Sequence, residues 1–414
     1  MNKIFQKFCC ILAVCSICFN YGCKRQKQVW FGAIQRTHSA EQANVVRLYI
    51  DKWGNLYPGN KYHIPYKAFF DPVKKKNTYR NSILNGNLEY YYQYQSAELQ
   101  KLFKEYEIEA NYNTSKDSFY AVQTKLISGY VERLSGYIEN SRSKVLIVFI
   151  HGFNDPDPTG DYQQLRDSIK AHGYADSSTV YLELFWDGLT SNQGNPGLAG
   201  IWGRAQRNSV YAGLTLRSIL SPLPEETKIR IITHSLGASV GTAALFNTTS
   251  KWSSKYAKKK DINALSGSWD YFELTRSIPA PRQKDIRIGM LAAAIPGEST
   301  FVDFEQRTWA VPFENNISRI VVGFNVNDYA VAKRVGRSDF LASRMGATSL
   351  GCNLIVDGVS ETERVSQMLE PKFPGIFCTV DFSEFRYKQQ PEEHGLYYYL
   401  LRPQATHFLQ HIFE

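Results

Sequence analysis

The stretch "RIITHSLGASV", Arg230 to Val240, sets a serine between an apolar run and a segment of small residues. Two readings are physically open: a nucleophile on a strained turn, or an ordinary helix N-cap, a position that serine favours. The apolar run up to Thr233 reads as a buried strand, and "LGASVGTAALFN" after Ser235 reads as a helix of small residues. A strand–turn–helix of this kind projects the serine hydroxyl above the sheet. Gly237, Ala238 and Gly241 supply the small residues that let strand and helix approach closely.

The flanking sequence repeats that alternation. "KVLIVFI" (Lys144 to Ile150) is a continuous Val- and Ile-rich run, as expected of a strand buried on both faces of a parallel sheet. "YQQLRDSIKAH" then predicts a helix and "TVYLELFW" a strand. A Gly-rich loop from Asp187 to Gly200 leads into the long helical stretch "IWGRAQRNSVYAGLTLRSIL". Beyond the Ser235 helix, "DIRIGMLAAA", "ISRIVVGFNV" and "GIFCTVDFS" predict three more strands. The chain closes on the helical pattern "LYYYLLRPQATHFLQHIFE", interrupted at Pro403. Strands alternating with helices at this spacing predict an α/β fold with a mostly parallel central sheet flanked by helices. The long segment before Asp285, with its "KKK", reads as a surface insertion or part of a lid.

Upstream of residue 116 the character differs. "VVRLYIDKWGNLYPG" (Val45 to Gly59) predicts two strands joined at a Gly-Asn turn. "LEYYYQYQ" concentrates tyrosines, as a strand with tyrosines on both faces or a surface for stacking on a ring. Helices are predicted from about Ala97 to Tyr106 and from about Ser118 to Tyr137, the second keeping a 3.6-residue period through Val122, Leu126, Tyr130 and Leu134.

The first residues pair a basic start, Lys3 and Lys7, with an apolar run from Phe8 to Phe19 too short to span a bilayer comfortably. A secretory leader over residues 1–22 is the expectation. Five of the seven cysteines fall at or before Cys23, so only Cys352 and Cys378 remain to form one disulfide or to stay as two thiols. The chain therefore divides into a leader (1–22), a Tyr-rich N-terminal extension (23–115) and a main domain (116–414). With 43% hydrophobic residues among 414, there is apolar mass for one large domain or two modest ones. The formal charge of +9 is spread thinly, without the clustered, aromatic-interleaved basic stripe of a nucleic-acid binder.

Three quoted motifs resemble known families. "THSLG" resembles the nucleophile elbow of the α/β-hydrolase superfamily, G-x-S-x-G, with Thr233 at the first glycine. "IVFIHGFND" resembles the strand and His-Gly turn that precede the oxyanion hole of many esterases and lipases. "LFWDG" followed by a long helix is similar to bacterial lipase-related α/β-hydrolases of unknown function. The likeness runs from about Lys144 to the C-terminus and implies an α/β-hydrolase fold. Gly22-Cys23 likewise resembles a bacterial lipoprotein cleavage site, which would leave Cys23 lipidated, although Asn20 and Tyr21 depart from that pattern.

A serine hydroxyl needs an imidazole to take its proton and a carboxylate to orient that imidazole. In this fold the order is Ser, then acid, then His. Asp328, at an Asn-Asp turn after "RIVVGFNV", is the expected acid; Asp357 is the runner-up, and Asp381 lies within a predicted strand. His394, delivered by a polar loop ahead of a helix, is the expected base, with His407 the alternative. His407 and His411 stand four apart but lack a third ligand, so no metal is implied, and no organic cofactor either. The backbone N–H groups of Leu236 and Phe153, the latter preferred over Asn154, are the candidate oxyanion donors. His151 is expected to brace its loop, and His234 to point away from Ser235.

The resemblance implies an exported serine hydrolase, lipase- or esterase-like, acting on a small-molecule or lipid ester in the periplasm or cell envelope, with a membrane contact through Cys23. The triad alone leaves thioester and amide substrates open. The alternative is a non-catalytic, lipid-anchored envelope binding protein on the same fold, with the tyrosine-rich region as its working surface. Labelling of Ser235 by a fluorophosphonate separates the two.

Overall fold

The computed structural model describes residues 28–29, 44–57 (53 excepted), 70–71, 76–77, 96–105, 107, 116–155, 158–188, 190–191, 194–246, 278–301, 317–331 (329 excepted), 350–383 and 394–414. The expected leader, Cys23, the tyrosine cluster Leu88 to Gln95, most of the insertion before Asp285 and the loop leading to His394 lie outside them.

Seven strands form the central sheet: β1 (Val45–Ile50), β2 (Val145–Ile150), β3 (Val180–Trp186), β4 (Lys228–His234), β5 (Asp285–Leu291), β6 (Ile317–Phe324) and β7 (Phe377–Asp381). Their order is β7-β6-β5-β4-β2-β3-β1, and every neighbouring pair is parallel. Parallel strands need crossovers, and helices supply them. The helices are α1 (Ser96–Glu105), α2 (Lys116–Asn140), α3 (Thr159–Ala171), α4 (Gly194–Leu220), α5 (Gly237–Phe246), α6 (Gly297–Phe301), α7 (Glu361–Leu369), α8 (Leu396–Leu400) and α9 (Gln404–Phe413).

The continuous apolar runs are explained by cover on both faces. Leu146, Val148 and Ile150 of β2 enter one core with side chains of α2, α4, α5 and α7. Ile147 and Phe149, pointing the other way, enter a second core with α3, α8 and α9. Helix α2 follows its predicted period, with Val122, Leu126, Tyr130, Leu134 and Ile138 buried.

Two expectations are corrected. Helix α4 starts at Gly194, so the latter part of the expected Gly-rich loop is helical; Pro196 fits there because a first-turn N–H has no intrahelical partner to lose. The expected hairpin from Val45 to Gly59 is instead strand β1, paired parallel to β3, followed by a single bridge from Leu56 back to Ile50. The turn between them takes Gly54 to φ +80, with Asp51 accepting from the Asn55 N–H at 3.0 Å. As a consequence, the N-terminal region assigned to 23–115 contributes a strand to the main sheet. Gln123 of α2 fastens this segment by accepting from Leu56 N–H (2.8 Å) and donating to Leu56 C=O (3.1 Å). No disulfide joins Cys352, which is buried, to Cys378, which is half-buried.

Candidate active site

The sheet order places a switch point at β2. From β2 the chain goes to β3 on one side, and β4 then lies on the other side, so the turns leaving β2 and β4 stand side by side at the carboxyl ends of the strands. Two of the quoted motifs follow those strands: His151-Gly152 after β2 and Ser235 after β4.

Ser235 has φ +52, left-handed backbone that a non-glycine residue rarely adopts. It is therefore not in the extended conformation of an N-cap serine. Its main chain is held from several sides. Ser235 N–H donates to Leu291 C=O at 2.9 Å, and Ser235 C=O accepts from Ala294 (3.0 Å) and Ala238 (3.2 Å). The glycines around it are spacing requirements. A Cβ on Gly237 would lie 2.5 Å from His151 O and 2.6 Å from Ile150 O, and one on Gly152 would lie 2.9 Å from Ser235 Cβ. Thr233 is accommodated because Gly241 faces it: a Cβ there would be 3.1 Å from Thr233 Cγ2.

Ser235, His394 and Asp328 come together across 159 and 66 residues of chain. Asp328 follows β6, and His394 stands next to Gly395, the N-cap of α8. A carboxylate only accepts, so His394 Nδ1 carries the proton and donates to Asp328 Oδ2 at 2.8 Å. That leaves Nε2 to accept from the Ser235 hydroxyl at 2.9 Å. Asp328 is buried, and its remaining lone pairs are also used. Tyr399 O–H donates to Oδ2 at 2.6 Å, while Ala330 and Val331 N–H donate to Oδ1 at 2.9 and 3.2 Å. Burial pushes the Asp328 carboxyl up, yet the charge and hydrogen bond of His394, with those from Tyr399 and Val331, hold it below the ordinary carboxylate value.

The N–H groups of Phe153 and Leu236 have no acceptor among the described residues, whereas Asn154 N–H donates to Gly188 O at 3.4 Å. Leu236 directly precedes α5, so its N–H sits at the positive end of that helix. Phe153 is set edge-on against Trp202 of α4, with centroids 4.9 Å apart. His151 braces the turn, as its sequence setting suggested. Its Nδ1–H donates to Gly152 O (2.8 Å) and its Nε2 accepts from Trp186 N–H (3.2 Å).

The alternatives lie elsewhere. Asp357 occupies the left-handed tip of an exposed hairpin, and Asp381 ends β7, where it accepts from Ser383 N–H. His407 is exposed on α9, and His411 is half-buried on the same helix. His234 lies beside the site, where its Nε2–H donates to the main-chain carbonyl of His394 at 2.7 Å. Tyr399 is a site residue that sequence reasoning missed, and the partner of His234 is one it did not foresee. The tyrosines after His394 were visible, but nothing in their order distinguishes Tyr399 from Tyr397 or Tyr398.

No family model matches the chain, and comparison with curated proteins and with solved structures returns no match.

Proposed function

We propose that the chain is an exported serine hydrolase of the α/β-hydrolase fold that cleaves a carboxylic ester. The observation that carries this is the continuous hydrogen-bond path from Ser235 Oγ through His394 to Asp328, starting from a serine in left-handed backbone. Ser235 Oγ attacks the acyl carbonyl carbon while its proton passes to His394 Nε2. The N–H groups of Phe153 and Leu236 receive the oxyanion. Collapse expels the alcohol, which takes the proton from His394, and leaves an acyl-Ser235 ester. Water, deprotonated by His394, repeats the sequence and releases the acid. Asp328 stays ionised throughout and stabilises the imidazolium. His394, Asp328 and the donors would be idle in a protein that only binds.

The test is covalent labelling by a fluorophosphonate. Wild type reacts and Ser235→Ala does not; a folded wild type that stays unlabelled sinks the hydrolase reading in favour of the binding one. Asp328→Asn lowers kcat by about 10⁴-fold on p-nitrophenyl esters, because it presents the wrong imidazole tautomer to Ser235. The reading also carries export by the leader at 1–22 and lipidation at Cys23. Incorporation of an alkynyl fatty acid in wild type but not in Cys23→Ala checks the anchor.

A further inference from the structure

We propose that His234 is a positioning residue for the base, fixing the main chain of His394 so that its ring meets Ser235 and Asp328 at once. This rests on the hydrolase reading above.

A carbonyl oxygen only accepts, so the 2.7 Å contact with His394 O places the proton on His234 Nε2 and leaves Nδ1 bare. Nδ1 faces the oxyanion turn, since a Cβ on Gly152 would lie 3.2 Å from it. One buried ring thus spans the turn after β2 and the residue that supplies the base. The two histidine rings lie 4.8 Å apart, and the ring of Tyr399, which donates to Asp328, is 6.4 Å from that of His234. His394 is then held at two points: its side chain by Asp328, its carbonyl by His234. With the carbonyl released, the side-chain contact alone would have to hold the ring, and small displacements at a reacting centre are expensive. The strut also has to stay uncharged when His394 becomes an imidazolium. Burial meets that need first, and the neighbouring His394 second, by pushing His234 down to about 3.

Three variants of the full chain decide it: His234→Phe, which fills the site without a donor; His234→Asn, whose amide is too short to reach; and His234→Gln, whose amide N–H can occupy the place of Nε2–H. With p-nitrophenyl butyrate, Phe and Asn are expected to lose about 100-fold in kcat at unchanged KM, and Gln to recover most of that loss. A folded Phe or Asn variant with wild-type kcat, or a Gln variant as impaired as Phe, overturns the proposal. Should the Phe variant not fold, the Asn and Gln pair decides alone. Proton NMR of the His394 Nδ1–H to Asp328 hydrogen bond provides a readout that needs no turnover. Its downfield resonance is expected in wild type and Gln and lost in Phe and Asn; persistence in a folded Phe or Asn variant counts against the strut. If wild type resists the fluorophosphonate, the hydrolase reading fails, and this resonance still tests whether His234 positions His394.

Discussion

Ser235 occupies left-handed backbone at φ +52, which is unfavourable for a non-glycine residue by about 1–2 kcal/mol. The residue is kept there by hydrogen bonds to the end of β5 and to its own helix. A comparison of two variants isolates that strain: Ser235→Gly should be more stable than Ser235→Ala by about 1 kcal/mol in urea denaturation. Equal stabilities would mean that the turn is relaxed. His234 makes a second prediction at this scale. It ordinarily titrates at 6.5 and is held at about 3 in the folded chain. Between those values the unfolded chain binds a proton that the folded chain refuses, so stability falls as pH drops below 6.5. The slope is about 1.4 kcal/mol per pH unit, so wild type should lose about 2 kcal/mol relative to His234→Gln between pH 7 and pH 5. A constant difference across that range would contradict a buried, neutral His234.

At the scale of elements, the turn at Ser235 depends on how closely β4 and α5 approach β2. Gly237 and Gly241 both lie on α5 but meet different obstacles. A Cβ at Gly237 strikes the carbonyl oxygens of Ile150 and His151, which are backbone and cannot turn aside. At Gly241 it meets Ile288 Cδ1 at 2.9 Å and Thr233 Cγ2 at 3.1 Å, ends of side chains that can shift. Gly237→Ala is therefore expected to abolish labelling of Ser235 and to lower stability by about 3 kcal/mol, against about 1 kcal/mol for Gly241→Ala with labelling retained. Thermal melts with probe labelling check both. These elements were largely legible, because a strand covered on both faces needs an uninterrupted apolar run whatever its partners. Ser235, Asp328 and His394 were legible for a related reason: each follows a strand end or opens a helix. The start of α4 was not. Its Gly-Asn-Pro-Gly has poor local propensity, and packing of Ala205, Ala212 and Leu216 further along the helix overrides it. The partner of His234 was illegible too, since it lies 160 residues away and only the fold brings it near.

For the molecule as a whole, the least legible feature is that the sheet is closed on one side by a strand from the N-terminal region. Nothing local links Val45–Ile50 to Val180–Trp186, and a change of composition near residue 116 suggests a boundary that the sheet ignores. An ion pair spans the two strands at one register position, Arg47 opposite Glu183. Glu183, fully buried in β3, accepts from Arg47 Nε of β1 at 2.9 Å and pairs with Arg166 of α3. One carboxylate thus bridges two guanidinium groups and ties the edge strand to a crossover helix on the sheet. Tyr49 stacking on Phe185 at 4.8 Å adds an apolar contact beside it. This arrangement predicts unequal costs. Glu183→Gln removes the carboxylate that two cations face, one of them buried, and should destabilise by about 3–5 kcal/mol. Arg47→Met leaves Arg166 to balance Glu183 and keeps an apolar stem on β1, so about 1 kcal/mol is expected. Urea denaturation of the two single variants decides. If Arg47→Met costs as much as Glu183→Gln, Arg166 does not neutralise Glu183 by itself, and the edge strand is then as indispensable to the charge balance as the helix. If the order holds, β1 is held mainly by Leu48 and Ile50 in the core. Deletion of residues 45–57 would then destabilise the chain far more than Arg47→Met does, because it uncovers the inner edge of β3 together with that apolar surface.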